Sequence, residues 1–304
     1  MDILSELLTT PLSEPPTHAE AWKAQWQTST GPMGVRALMG GLRSDRPAWA
    51  FAWGYQSALH CMVPSLQGVG ALAISEGRNT RPKSIATTAA KGRLKGRKSY
   101  AFLGEHADCI LVLARAGEAD GRPILKLYPV ASIAEGVIHR PLGPTPFLPE
   151  VPHSALELDL PSPPPLKGDG WSDYSKPFRT LEDLFVMLAM LGHGVRICRL
   201  TGQDSELEAM LPLILALLSL STQDPKLPAL HRALEACLNQ GLERLNALPW
   251  ATHAQETQQR WVRDRTLFAL GSPARAVRIA RARAHPSQRD DTLLLGPMDM
   301  VIPL

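Results

Sequence analysis

Apolar and polar positions alternate in three different ways along the chain. Between residues 17 and 64 the apolar positions recur at three- and four-residue spacings, the period of an amphipathic helix. This pattern predicts helices over Ala19–Gln27, Gly34–Leu42 and Pro47–Val63. In the last of these Pro47 suits a first helical position, Trp49, Ala52, Trp53, Gln56 and Leu59 follow the helical spacing, and Pro64 ends the run. Trp49, Phe51, Trp53 and Tyr55 alternate in sequence, and alternate residues on a helix point to opposite sides. They are therefore expected as core or interface rather than as a box around a ligand.

From about residue 69 to 166 the pattern changes to short β-like runs broken by glycine and proline: Gly68–Ser75, Ser99–Leu103, Cys109–Ala114, Ile124–Val130 and Ser154–Leu160, the last of which alternates apolar and polar residues strictly. The proline-rich stretch Leu160–Gly170 reads as a stiff linker. Helical periodicity then returns. Thr180-Leu-Glu-Asp forms a capping box that predicts a helix start at Thr180, and further helices are expected over Ser205–Ser219, Ala229–Ala247 and His253–Ala284. Residues 286–304 carry no strong signal. The predicted class is α+β: N-terminal helices over 1–66, a central antiparallel β-barrel or sandwich over 67–168, and a C-terminal four-helix bundle with a tail over 169–304.

Composition narrows the function classes. With 304 residues, 44% hydrophobic and 20% charged, the chain can bury real cores, and a net charge of +3 falls short of a dedicated nucleic-acid module. The longest strongly apolar run, Leu211–Leu220, is about half of the roughly 20 residues a membrane span requires, so no membrane span is expected. The N-terminus shows no basic region followed by an apolar one, which makes a cytoplasmic location the expectation. Cys61, Cys109, Cys198 and Cys237 are scattered without ligand spacing, so they are expected as reduced thiols, with no metal site. Lys91, Arg93, Lys95, Arg97 and Lys98 cluster without interleaved aromatic residues. A solvated hairpin is the expectation rather than a nucleic-acid partner, with contact to a coenzyme A phosphate as the alternative.

Four stretches resemble the acyl-CoA dehydrogenase family. Ala71-Leu72-Ala73-Ile74-Ser75-Glu76, with the following residues to Ala89, resembles the family's first flavin-contacting segment, A-x-x-x-T-E-P-x-x-G-S-D-x-x-x-I-x-T-x-A, at its ends but not its middle. Gly96-Arg-Lys98-Ser-Tyr100-Ala-Phe102-Leu-Gly104-Glu-His-Ala107-Asp108 follows the second segment, G-x-K-x-W-I-T-N-G-x-x-A-D, without a gap. Pro152–Gly170 resembles the exit from the family's β domain. Arg263-Asp264 to Leu270 resembles the R-D run before its active-site loop.

The resemblance implies an FAD-dependent oxidoreductase of lipid metabolism acting on an acyl-CoA or related thioester, assembled as a homo- or hetero-oligomer. Leu72, Ile74, Ser75, Thr80, Arg81, Tyr100 and Phe102 stand at the positions that hold the flavin. The implied chemistry requires a carboxylate to take the proton next to the thioester carbonyl while the flavin accepts hydride. Ser272 stands where that glutamate would be, with Glu235, Glu243 and Glu256 as possible spatial substitutes or ordinary solvated carboxylates. Phe102 replaces the hydroxyl residue that hydrogen-bonds the flavin ring, Tyr100 replaces the stacking tryptophan, and Arg196 and Arg199 occupy the region of the family's pyrophosphate arginine. The N-terminal helical part is also shorter than the family's. Two functions therefore follow from the resemblance: a flavoprotein with a reduced catalytic set that draws on a partner subunit, or a non-catalytic subunit of the same fold.

Overall fold

The computed structural model describes residues 2–77 and 81–287. Their contacts divide them into two compact units, 2–61 with 180–287, and 62–179.

The first unit is helical. Its N-terminal part holds α1 (Ile3–Thr9), α2 (Ala19–Thr28), α3 (Met33–Arg43) and α4 (Pro47–Met62). The last three match the predicted helices to within a few residues, and α1 was not anticipated. Four tryptophans fill this part of the core. Trp22, Trp26 and Trp53 meet at ring centroid distances of 5.3–6.1 Å, the Arg36 guanidinium lies 3.7 Å over the Trp26 ring, and Trp49 is fully buried. Tyr55 is buried and Phe51 half-buried, so the alternating aromatics are core, as their period implied.

The second unit is a seven-stranded sheet of β1 (Gly70–Ala73), β2 (Thr88–Ala90), β3 (Arg93–Phe102), β4 (Cys109–Ala119), β5 (Arg122–Ala131), β6 (Val137–Pro141) and β7 (His153–Pro161). The order is β1-β4-β2-β3-β7-β6, with β5 on β4. The sheet is mixed, which corrects the antiparallel expectation: β1 runs parallel to β4, from Gly70 opposite Cys109 to Ala73 opposite Val112. Asp108 fixes this register. Its carboxylate accepts the Val69 N–H at 2.8 Å, while its own N–H donates to the Val69 carbonyl at 2.7 Å. Ala71, Ala73, Leu94, Ala101, Ile110, Val112, Leu156 and Leu158 form the core of this unit.

The remaining helices are α5 (Lys176–Thr201), α6 (Asp204–Leu220), α7 (Pro228–Ala247), α8 (Trp250–His253), α9 (Gln255–Asp264), α10 (Leu267–Leu270) and α11 (Ser272–Ala284). Two expectations change here. The α5 helix follows directly on a π-type turn over Gly170–Ser175, so Thr180 lies inside it. Asp169 supplies the cap, accepting the N–H groups of Trp171 (3.1 Å) and Ser172 (2.7 Å) before Thr180 can. The single helix expected over His253–Ala284 is broken, because Ala254 is extended (φ −165°, ψ 144°) and α11 restarts after Gly271 with Pro273 in its first turn. The continuous helical stretch Gly170–Thr201 is long and apolar enough to cross a membrane, but 78% of its apolar window is buried within the protein, as in a core helix.

Helices α3 and α5 cross at backbone contact. A Cβ on Gly41 would sit 1.8 Å from the Ala189 carbonyl oxygen, and one on Gly192 would sit 2.1 Å from the Leu38 carbonyl oxygen. Only hydrogen fits at these two positions, so the crossing depends on them. Gly41→Ala is expected to destabilise the chain by about 3 kcal/mol, the upper end for overpacking, as measured by the urea midpoint at unchanged slope.

Candidate functional site

The two segments that resemble the flavin cradle lie side by side in the sheet unit. The Ser99 N–H donates to the Ser75 carbonyl at 2.9 Å, and the Lys98 ammonium donates to the Ile74 carbonyl at 3.2 Å. A bulge between Lys98 and Ala101 takes Ser99 and Tyr100 out of the regular ladder with β7. Tyr100 lies 4.6 Å from the His153 ring, and Phe102 meets the same ring edge-on at 5.3 Å. Of the residues predicted to hold a cofactor, Ile74, Ser75, Tyr100 and Phe102 are thus brought close to one another. Leu72 is buried and paired with Leu111 of β4. Arg81 is exposed, and its carbonyl accepts the Ser84 N–H and hydroxyl. Thr80 lies outside the described residues.

His153 was not singled out by sequence. It is 4% exposed, burial pushes its imidazole down to about 4, and its Nε2 has no hydrogen-bond partner among the described residues. At neutral pH it is an uncharged ring against two aromatic side chains.

Lys98 overturns the reading of the basic stretch as wholly solvated. Lys91 and Gly92 make the β2–β3 turn, but the Lys98 side chain is fully buried and its ammonium bonds the Glu76 carboxylate at 2.6 Å. Glu76 also accepts the N–H groups of Ala86 (2.6 Å) and Thr87 (3.1 Å). Burial pushes Lys98 down to about 8, against the opposing pull of Glu76. Burial also pushes Glu76 up, but the Lys98 charge and the three hydrogen bonds outweigh it and hold the carboxyl below its usual range. The family-like Glu and Lys are therefore joined in one structural contact.

In the helical unit, Ser272 is exposed. Its hydroxyl donates to the Phe268 carbonyl at 3.2 Å and accepts from Arg275 at 3.1 Å. Arg275 also bonds Asp183 at 3.0 Å and lies 4.0 Å from Glu235, while Arg278 holds the second oxygen of Asp183. Of the three glutamates considered as substitutes, Glu235 alone joins this cluster. Glu243 and Glu256 are exposed, and Glu256 pairs with Arg260. Asp183 was missed by sequence, because nothing in its local pattern sets it apart from a solvated helix carboxylate.

The arginines expected near a pyrophosphate are used elsewhere. Arg196 donates to the carbonyls of Ser13 and Leu42, at 3.3 and 3.2 Å, and Arg199 to those of Leu7 and Thr10, at 3.0 and 2.8 Å. They satisfy carbonyls at and just beyond the C-terminal ends of α1 and α3. Among the described residues there is no cluster of three metal-ligating side chains, and all four cysteines are free.

The chain is similar in structure to several solved proteins. Against PigA with FAD and proline the TM-score is 0.63 at 14% identity, covering 94% of this chain and 93% of that one. Against the prolyl acyl carrier protein oxidase AnaB it is 0.62 at 13% identity, covering 92% and 96%. Against FkbI, of methoxymalonyl extender unit biosynthesis, it is 0.58 at 15% identity, covering 83% and 84%. No protein-family profile and no curated protein sequence matches the chain.

The Glu76 contact carries a pH signature. Its carboxyl titrates lower in the folded chain than in the unfolded one, so its stabilisation is complete above the unfolded value and lost as pH falls through the folded value. The urea midpoint of the wild type is expected to fall on acidification below about pH 4.5 more steeply than that of Glu76→Gln. Lys98→Met, which strands Glu76 in the interior, is expected to cost about 3–5 kcal/mol at pH 7 in the same urea titration. At these identities the similarity establishes one thing about the chain: it has the fold of the acyl-CoA dehydrogenase-like flavoproteins.

Proposed function

We propose that the chain binds FAD against its sheet unit and serves an acyl-thioester oxidoreductase whose proton-abstracting carboxylate does not stand at the position the family resemblance implies. The observation that carries this reading is the joining of the two cradle segments, with the Ser99 N–H on the Ser75 carbonyl and Tyr100 and Phe102 following on the same strand. Ile74, Ser75, Tyr100 and Phe102 would hold the ring system. The unpartnered Nε2 of His153, buried beside Tyr100 and Phe102, is a polar group of the kind a heteroaromatic ring can satisfy. Flavin, when bound, supplies the hydride acceptor.

The likeness to a prolyl acyl carrier protein oxidase, AnaB, favours a substrate carried as a thioester on a carrier protein over a free fatty acyl-CoA. Ser272 has no proton-accepting carboxylate. Within the helical unit, the carboxylates of Asp183 and Glu235 meet Arg275, which also bonds Ser272.

A second reading has its own support. Phe102 carries no hydroxyl and Arg196 and Arg199 are spent on helix-end carbonyls, which suits a non-catalytic subunit that keeps the fold.

Titration of the purified chain with FAD, followed by flavin fluorescence quenching, separates the two readings. Saturable binding in the micromolar range is expected, with Tyr100→Ala weakening it about fivefold to tenfold through loss of the aromatic contact. Anaerobic addition of acyl-carrier and acyl-CoA thioesters should then bleach the bound flavin. Absence of FAD binding up to 100-fold above micromolar concentration would sink the enzyme reading and leave the subunit reading.

A further inference from the structure

Three histidines are buried among the described residues, and each carries ring nitrogen without a hydrogen-bond partner there: Nε2 of His153, Nε2 of His193 and both nitrogens of His231. His193 and His231 belong to the helical unit. His193 is anchored through Nδ1, 2.9 Å from the Ser44 carbonyl oxygen, with its ring against Trp250. His153 is the one of the three that stands beside residues of the candidate flavin site.

Strand register fixes its surroundings. Beyond the bulge in β3, Ala101 lies opposite Ser154 of β7 and Phe102 opposite His153. Directly opposed residues share one face of a sheet, with Cβ atoms about 4.5–5.5 Å apart. The imidazole therefore shares a face with Phe102, whose ring meets it edge-on, and Tyr100, two residues earlier on β3, lies against it at an angle of 30°. The backbone behind it has little room to shift. The His153 carbonyl accepts the Leu142 N–H at 2.8 Å, and a Cβ on Gly104 would stand 2.5 Å from the Ser154 hydroxyl oxygen.

A side chain with only a packing role would be apolar at this position. Phenylalanine in its place would meet both rings and leave no orphan nitrogen, whereas the imidazole keeps a desolvated polar atom unpaired at a cost in stability. A local rule broken in this way, without compensation inside the chain, marks a place that a ligand completes. Burial holds the imidazole down to about 4, so at neutral pH it is uncharged and offers one N–H and one lone pair. That suits the polar edge of a planar heteroaromatic ring, whose flat face aromatic side chains can also meet. It suits a phosphate or a carboxylate less well, because those are gripped best by charged donors. By the family resemblance a hydroxyl at position 102 would bond the flavin ring. Phe102 has no such group, and directly across the ladder stands a side chain that has an unused nitrogen.

We propose, resting on the FAD reading above, that His153 hydrogen-bonds the flavin ring through Nε2, so that this contact has moved one strand across, from position 102 on β3 to position 153 on β7.

The test compares the wild-type full chain with His153→Phe and His153→Gln, by quenching of FAD fluorescence and by urea unfolding without FAD. His153→Phe keeps the ring contacts and removes the nitrogens. It is expected to weaken FAD binding about tenfold, the worth of one hydrogen bond, while raising the urea midpoint of the flavin-free chain. His153→Gln, whose amide can reach about as far as Nε2, is expected to bind FAD within about threefold of the wild type. A merely structural histidine would move both readouts the same way, so a midpoint that falls together with affinity in His153→Phe overturns the proposal. Unchanged affinity in His153→Phe overturns it as well, as does His153→Gln binding no tighter than His153→Phe. Absence of FAD binding by the wild type is a different result, since it removes the flavin reading itself and this contact with it.

Discussion

The buried contact between Lys98 and Glu76 organises the sheet unit. A fully covered ammonium is tolerable only with a close counter-charge, and Glu76 can serve only if its remaining lone pairs are also engaged. The N–H groups of Ala86 and Thr87 meet that need. One carboxylate thus ties together the segment after β1, the segment before β2 and the middle of β3. These are the stretches whose spacing resembles a flavin cradle, so the side chains that carry the resemblance are largely the ones that hold the sheet in shape.

This explains what could and could not be read from the residues. Helices α2, α3, α4, α6 and α7 were legible because their apolar positions keep a regular period over ten or more residues. Five of the seven strands were legible in place but not in direction, and β2 and β6 were not anticipated: the parallel pairing of β1 with β4 rests on Asp108 reaching back to Val69, a contact across 39 residues that no local pattern contains. The start of α5 was misplaced because Asp169, at the end of a proline-rich stretch, caps it ahead of the more familiar box at Thr180.

The candidate site was legible in a similarly partial way. Spacing singled out Tyr100 and Phe102, which the structure sets against one ring, while His153 and Asp183 were invisible, since each gains its character only from neighbours far along the chain. Lys98 is the sharpest case. It sits among four other cations in sequence and looks like one more solvated charge, yet strand alternation turns it inward while Arg93, Lys95 and Arg97 face water. The arginines at 196 and 199 mislead in the opposite sense, looking like phosphate ligands while they satisfy carbonyls at helix ends.

Those two arginines also bear on the order in which the molecule can be assembled. They reach back more than 150 residues to Leu7, Thr10, Ser13 and Leu42, and α3 meets α5 at glycines that leave no gap. The tryptophan-rich N-terminal helices emerge from the ribosome first, yet the helix that completes their packing is made only after the whole sheet unit. Between those moments Trp49, Trp53 and Leu38 have no finished core to enter, and a growing chain with such surface uncovered is vulnerable to wrong association. The sheet unit, continuous in sequence from 62 to 179, is made in full before that helix, so its own contacts can form while the N-terminal helices still lack their partner.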